Sequence, residues 1–127
     1  MKHIKLSFLL LCITLMAQAQ TVRIQDSDST RLGAIEEKLA AVAAIDSTWY
    51  TTIEVSVGMM PLSELMRYLA KTNNVNIGIR GAEQIHVTCN FANPKLIDLV
   101  FYLCKEYDLD MDVTGSIVSI FPIEPEM

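Results

Sequence analysis

The residues and loops that build most catalytic and phosphate-binding sites are scarce in this chain. Its 127 residues include only five glycines and two histidines. A glycine-rich phosphate loop, H-E-x-x-H and G-x-S-x-G are all missing from the sequence. Catalysis therefore has few groups to work with, and we predict a protein that is not an enzyme, without catalytic residues, cofactor or metal site.

Basic residues are too few and too scattered for a nucleic-acid-binding protein. The chain has 10 Lys or Arg against 15 Asp or Glu, which gives a formal net charge of -5. Nucleic-acid binders usually carry a basic stripe interleaved with aromatic residues, and no stretch of this sequence has that pattern. A phosphate-rich partner is therefore disfavoured, and we expect no nucleic acid.

Long apolar runs are limited to one, close to the first residue. Lys2 and Lys5 flank the start of an apolar stretch over residues 6–16, and Ala17-Gln18-Ala19 has the small-x-small pattern that a signal peptidase cleaves. The stretch is about 11 residues long, whereas a transmembrane helix needs roughly 20. We therefore predict a signal peptide over residues 1–19 and an exported mature chain.

Cysteine is rare, and two cysteines, Cys89 and Cys104, remain after the predicted cleavage. An exported protein meets oxidising conditions, so the two can form a disulfide. Free cysteine is also a common small buried residue, and sequence spacing does not decide between these alternatives. Neither cysteine belongs to a C-x-x-C pair, which disfavours metal binding and thiol exchange.

Residues 20–50 form a polar lead-in followed by an amphipathic helix. Apolar residues recur at spacings of three and four over residues 31–45, with Ser29 or Thr30 available as N-cap. The apolar stripe covers only two heptads, so packing on the domain is favoured over a coiled coil. Trp49 and Tyr50 follow the helix. They are interpreted either as a cap over the core or, if exposed, as interface aromatic residues.

A strand-helix-strand pattern occupies residues 53–81 and occurs again, without a gap, over residues 87–115. In the first copy an alternating strand ends at Gly58, a helix opens at Pro61 and stops at Asn73-Asn74, and a second strand follows. A shift of 34 positions aligns identical residues, which are Leu62 with Leu96, Leu65 with Leu99, Tyr68 with Tyr102, Leu69 with Leu103, Lys71 with Lys105, and Gly81 with Gly115. Residues 116–121 add a final strand.

This pattern predicts an α+β fold. Two β-α-β repeat units place two helices against small mixed β-sheets, and the amphipathic helix of residues 31–45 is an addition at the N-terminal side. The strands alternate apolar and polar residues, so one face of each sheet is expected to be exposed to water.

Two polar features are candidates for chemistry. His86 lies on the polar side of its strand and is interpreted as a solvated residue. Asp108, Asp110 and Asp112 could hold a hard cation such as calcium, but the glycine and the later glutamate of an EF-hand are missing. We favour the simpler interpretation, in which Leu109, Met111 and Val113 point inward and the aspartates face water.

Residues 51–122 resemble the secretin and TonB N-terminal short domain, or STN-type domain. The resemblance rests on a strand (TIEVSV), the segment PLSELMRYLAKTNNVNIGI with its P-L-x-x-L-x-x-L spacing, a second copy (IHVTCNF and NPKLIDLVFYLCKEYDLDMDV), and a closing strand before a proline (SIVSIFP). The phrase NNVNIGI followed by IHVTCNF is more similar to the secretin version.

The resemblance implies a periplasmic, non-catalytic docking domain of an outer-membrane secretin-type channel or TonB-dependent receptor. Its implied partners are an inner-membrane component of a secretion or signalling system and, in a secretin, neighbouring copies in a ring. Contact with the membrane is implied only through a barrel portion that does not follow in this sequence. The segment FPIEPEM, including residues 123–127, is similar to the start of a linker and favours a fragment of a longer channel.

An edge strand is the expected docking element, because it can pair with a partner's strand. The candidate edges are Thr52–Val57, with Thr52, Glu54 and Ser56, and Ser116–Phe121, with Ser116, Val118 and Ser119. The alternative function is a free-standing periplasmic protein that binds a small ligand or a divalent cation.

Overall fold

The computed structural model describes residues 28–123. The chain divides into two compact units, residues 1–33 and residues 34–127. In the first unit, the described residues 28–33 are helical, and Arg31 forms a salt bridge of 2.8 Å with Asp28. The predicted signal peptide, most of the predicted lead-in and the tail beyond residue 123 lie outside the described residues.

Helix α1 covers residues 28–45 and ends where the sequence predicted. The predicted start was wrong: Ser29 and Thr30 lie inside the helix and are not its N-cap. The salt bridge between Arg31 and Asp28 spans the turn that contains both residues, and such i,i+3 pairs stabilise helical turns. In the second unit, α1 buries one face, formed by Ile35, Leu39, Val42 and Ala43.

A short 3-10 helix, Ser47–Tyr50, follows α1. Asp46 is its N-cap, and the Asp46 carboxylate accepts a hydrogen bond of 3.0 Å from the backbone N–H of Thr48. This cap satisfies a donor that the helix itself leaves free. Trp49, on this turn, is only 1% exposed and belongs to the core.

Two strand-helix-strand units and a closing strand make up the rest of the second unit. Their elements are β1 Val55–Pro61, α2 Leu62–Asn73, β2 Asn76–Ile79, β3 His86–Phe91, α3 Leu96–Glu106, β4 Leu109–Thr114 and β5 Ile117–Pro122. Strands β1 and β3 form an antiparallel two-stranded sheet. The second sheet has the order β2-β5-β4, with β2 parallel and β4 antiparallel to β5. The predicted α+β class, with small mixed sheets, two repeat helices and an extra N-terminal helix, is confirmed.

The apolar stripes predicted for α2 and α3 form the centre of the core. The buried residues of the two helices are Leu62, Leu65, Met66, Leu69, Leu96, Leu99, Val100, Leu103 and Cys104. Leu109 and Met111 of β4 are also buried, as predicted, whereas Val113 is only half-buried. Burial of a large aliphatic side chain stabilises the fold by about 1.5 to 3 kcal/mol, so the matched positions of the two copies supply much of the stability of the fold.

The backbone repeats as closely as the apolar pattern does. Outside the glycines, residues with positive φ occur at Met59 and Asn93 (φ 51° and 54°) and at Asn74 and Asp108 (φ 55° and 52°). Each pair is separated by 34 positions, which is also the separation of the two positive-φ glycines. Three left-handed backbone positions therefore recur at equivalent places in both copies, although only the glycine is identical in sequence.

A reciprocal pair of backbone hydrogen bonds joins the two copies. The backbone N–H of Leu62 donates to Ile85 O and that of Leu96 to Thr51 O, both at 2.9 Å. Leu62 corresponds to Leu96, and Thr51 corresponds to Ile85, so the two hydrogen bonds are related by exchange of the copies. The second unit is thus a pseudo-twofold pair, with the β1–β3 ladder between the two repeats.

The first strand differs from its predicted limits. Residues 52–54 are not in β1, and Gly58 does not end the strand, which continues to Pro61 through a bulge between Val57 and Met60. The backbone N–H of Ile53 donates to Pro94 O at 2.8 Å, and Thr52 forms an isolated bridge with Lys95. Because proline has no N–H, a regular ladder cannot form opposite Ile53.

Candidate functional site

The structure places the second candidate edge in the middle of a sheet. Strand β5, which carries Val118 and Ser119, lies between β2 and β4, and Ser116 is in the turn that precedes it. Val118 is fully buried. The prediction of an edge at Ser116–Phe121 was therefore wrong. The last strand along the chain inserts between the two equivalent strands of the repeats, because order in sequence does not determine order in a sheet.

The first candidate edge is retained only in part. Ser56 is exposed on β1, which has one unpaired side because its sheet has two strands. Thr52 and Glu54 precede the strand and cannot extend a regular edge. In the bulge that follows, the backbone N–H of Met59 donates a hydrogen bond of 3.0 Å to Thr88 Oγ1. Bulges of this kind interrupt pairing along an edge.

Strand β4 is an edge of the three-stranded sheet, but side chains occupy its outward backbone groups at Met111. The N–H of Met111 donates to Asp110 Oδ1 at 2.8 Å, and its carbonyl oxygen accepts a hydrogen bond of 2.8 Å from Lys38 Nζ. Lys38 on α1 also lies 3.8 Å from Asp112 Oδ1. Since both polar groups of Met111 already have partners, this edge is closed to a further strand at its centre.

Strand β2 is the other edge of that sheet. No residue between 28 and 123 forms a hydrogen bond with the backbone groups of β2 that point away from β5. The N–H of Arg80 donates to Ile120 O at 3.1 Å. Alternate residues of a strand direct their backbone N–H and C=O groups to the same side. Since Arg80 faces β5, the backbone groups of Ile77 and Ile79 point away from it. No described side chain makes a hydrogen bond to the backbone of β2, in contrast to β4.

A groove of about 610 Å³ runs along this open edge. Its lining residues come from the C-terminal half of α2, from β2 and the residue before it, and from the β4–β5 turn and the start of β5. They are Arg67, Ala70, Lys71, Val75, Asn76, Ile77, Gly78, Ser116 and Ile117. Arg67 and Lys71 are exposed and one helical turn apart, and no Asp or Glu is among the lining residues. The groove lining therefore combines two cations with apolar residues and contains no acidic group.

Local sequence explains how the groove is built. Asn74 takes the left-handed conformation after α2, with its N–H bonded to Ala70 O, which ends the helix and turns the chain into β2. The backbone N–H of Val75 also donates to Ala70 O, at 3.0 Å, and the Val75 side chain is buried. Asn76 Nδ2 donates to Ser116 Oγ at 3.3 Å, across the start of the parallel ladder.

The two predicted interface aromatic residues, Trp49 and Tyr50, differ in their exposure. Trp49 is buried, which excludes it as an exposed interface residue. The other predicted alternative, a cap over the core, describes Trp49 correctly. Tyr50 is half exposed and remains accessible to a partner. The indole of Trp49 packs inward because the 3-10 turn lies against α3.

The three aspartates do not converge on a common point for a cation. Asp108 is in the turn before β4, Asp110 binds the N–H of Met111, and Asp112 lies near Lys38. Within residues 28–123, no group of three His, Cys, Asp or Glu side chains is arranged to hold a metal ion. His86 is exposed on its strand, as predicted.

Cys89 and Cys104, which follow the predicted cleavage site, are both buried, and no disulfide joins them. Burial raises the pKa of the Cys89 thiol. A thiol with a raised pKa is mostly protonated at neutral pH, and the thiolate is the reactive form. Of the two alternatives for these residues, the structure has the small buried side chains and not the disulfide.

Sequence reasoning missed the β2 edge, Arg67 and Lys71. The repeat contained a usable signal, because it made β2 and β4 equivalent, and equivalent strands take equivalent places in a pseudo-twofold sheet. The odd strand, β5, must then occupy the middle.

Comparison with known proteins gives no matching family model and no matching curated protein. Among the described helices, none has the length and apolar character required to cross a membrane.

Proposed function

We propose that this protein is a non-catalytic periplasmic docking domain that belongs to an outer-membrane channel, either a secretin or a TonB-dependent receptor. The resemblance of residues 51–122 to the STN-type domain supports this proposal, as does the signal peptide predicted over residues 1–19. The single observation that carries it is the contrast between the two edges of the three-stranded sheet, since β4 is closed by side chains whereas β2 is open.

An open edge next to a groove is suited to binding a protein. Unpaired N–H and C=O groups pair with an added strand, while pockets beside the edge select its alternate side chains. Natural proteins usually protect such edges, as this chain does at Met111 with Lys38 and Asp110. An unprotected edge in the same sheet is consistent with selection for binding at β2.

The partner class follows from the resemblance. An inner-membrane component of a secretion or signalling system is the proposed partner of β2. If the channel is a secretin, neighbouring copies of the domain in a ring are further proposed partners.

Site-specific crosslinking in the native host tests this function. A photo-reactive residue at Asn76, on the open edge, is expected to crosslink to an integral inner-membrane protein. The same residue at Asp112, which is exposed on the closed edge, is the control and is expected to yield far less of that product. Mass spectrometry of the mature chain is expected to find an N-terminus after Ala19.

Two results would contradict the proposal. One is an unprocessed chain that fractionates with the cytosol. The other is equal crosslinking from Asn76 and Asp112, which would mean that the open edge has no special role.

A further inference from the structure

We infer that the β2 groove takes an extended, acidic peptide segment, which adds to the sheet as a strand beside β2 and places carboxylates against Arg67 and Lys71. This inference rests on the proposed docking function and specifies the chemistry of the partner. It derives from the charge of the groove, from the free backbone of the edge and from a comparison of the two repeats.

The charge of the groove is opposite to that of the chain as a whole. The protein has 15 acidic against 10 basic residues, yet the groove lining includes Arg67 and Lys71 and no acidic residue. Neither cation forms a salt bridge with any residue between 28 and 123. Their positions, four apart on α2, put both on the same side of the helix. Two uncompensated cations beside an edge favour an anionic occupant.

The backbone of β2 supplies the second element of recognition. Ile77 and Ile79 each present an N–H and a C=O away from β5, which is the donor and acceptor pattern that an added strand needs. Gly78, between them, has no side chain to obstruct the approach. Ile77 and Ile117 line the groove on opposite faces of the sheet, so apolar side chains of the added strand can contact one or the other.

The equivalent site in the second repeat is closed by groups that the first repeat lacks. Met111 corresponds to Ile77, and its carbonyl is occupied by Lys38. Asp110, which binds the N–H of Met111, is replaced by the neutral Asn76. Asp112, which lies near Lys38, is replaced by Gly78.

This comparison also explains selectivity between the two edges. Strand β4 carries carboxylates at Asp110 and Asp112, which repel an acidic segment, whereas β2 carries none. The charge of an acidic peptide therefore favours β2 over β4, in addition to the occupied backbone groups of Met111.

Titration of the whole mature chain with synthetic peptides tests the inference. The probe is a peptide of about ten residues in which Glu alternates with Val, a length that suits a single strand. The control peptide has Lys at every Glu position. Addition of the Glu peptide is expected to shift the amide NMR signals of Ile77, Gly78 and Ile79 and to slow their hydrogen exchange. The Lys peptide is expected to bind at least about tenfold more weakly.

Variants separate the two sources of affinity. The double substitution Arg67→Ser and Lys71→Ser is expected to weaken binding of the Glu peptide by about tenfold and to reduce its salt dependence. Lys105→Ser is the matched control, because Lys105 occupies the position of Lys71 in the second repeat and is expected to change little. Ile77→Pro removes an outward N–H without removing a bond to β5, and it is expected to abolish binding.

The inference is overturned if the Glu peptide does not bind, if both peptides bind equally, or if the shifted signals lie on β4. The docking function is tested separately, and it would still be supported if Asn76 crosslinks to an inner-membrane protein while the peptide test fails. Conversely, selective binding of the Glu peptide by a chain that is not exported would support the groove chemistry and count against the periplasmic function.

Discussion

Lys38 on α1 and Met111 on β4 are joined by a hydrogen bond of 2.8 Å from Nζ to the carbonyl oxygen, across 73 positions of sequence. The bond ties the helix that lies outside the repeats to an edge of the sheet inside them. It gives α1 a role that its apolar stripe alone does not suggest, which is to protect an edge strand from further pairing.

Loss of this ammonium group is expected to open the β4 edge. We predict that Lys38→Met lowers the free energy of unfolding by about 1 kcal/mol, because one partly exposed charged hydrogen bond is lost while the length of the side chain is kept. Hydrogen exchange at Met111 is expected to accelerate. Urea denaturation and exchange measured by NMR check both effects. Lys105→Met, on the exposed face of α3, is the control and is expected to change neither.

The two repeat tyrosines are equivalent in sequence but differ in their surroundings. Tyr102 is half-buried and packs edge-on against Phe91, with ring centroids 4.9 Å apart, whereas Tyr68 is 55% exposed. We predict that Tyr102→Ala lowers the free energy of unfolding by about 1 to 3 kcal/mol. Tyr68→Ala is expected to cost less than about 0.5 kcal/mol. Similar losses in chemical denaturation of the two variants would contradict this assignment.

Identical glycine-to-alanine substitutions are expected to have opposite effects at Gly115 and Gly33. Gly115 has φ 59°, and an added Cβ there meets no atom within 4 Å, so Gly115→Ala should destabilise by about 1 kcal/mol through backbone strain alone. Gly33 is helical and equally open, so Gly33→Ala should stabilise by about 0.5 to 1 kcal/mol. Thermal denaturation of both variants measures the difference. A gain at Gly115 would argue against the left-handed turn.

The cap at Asp46 predicts a specific pH dependence. Hydrogen bonds from Thr48 lower the pKa of the Asp46 carboxyl below its usual value of 3.8. A carboxyl with a lower pKa in the folded than in the unfolded state stabilises the fold above the unfolded pKa, and this contribution is lost as the pH falls through the folded pKa.

The matched variant is Asp46→Asn, which keeps an acceptor oxygen and removes the charge. Its melting temperature is expected to lie below that of the natural protein at pH 7 and to approach it near pH 3, as followed by circular dichroism. A difference that does not depend on pH would show that the charge of Asp46 does not contribute to the cap.

Particular residues show how far sequence could predict the fold. Leu62, Leu65, Leu69 and their partners 34 positions later are buried as the periodicity required. The limits of β1 were not predictable from alternation, because the bulge at Val57 and Met60 depends on what lies opposite it in β3. Likewise, the burial of Trp49 depends on the position of α3, which no local pattern encodes.

The same division applies to the candidate site. Most residues of the β2 groove belong to the first repeat, yet Arg67 and Lys71 are indistinguishable by sequence from any other solvated cations. The role of Arg67 and Lys71 as groove residues depends on which edge of the sheet is open. The open edge is determined by β5 and by Lys38, which lie outside the two repeats.

The sequence by itself determined the α+β class, the duplication and the inward faces of both repeat helices, because periodicity follows from the geometry of the chain within a single element. Only the tertiary structure decided which strand is central, which edge is closed and which aromatic residue is exposed. These features are set by competition between distant segments for the same hydrogen-bonding groups and the same apolar surface.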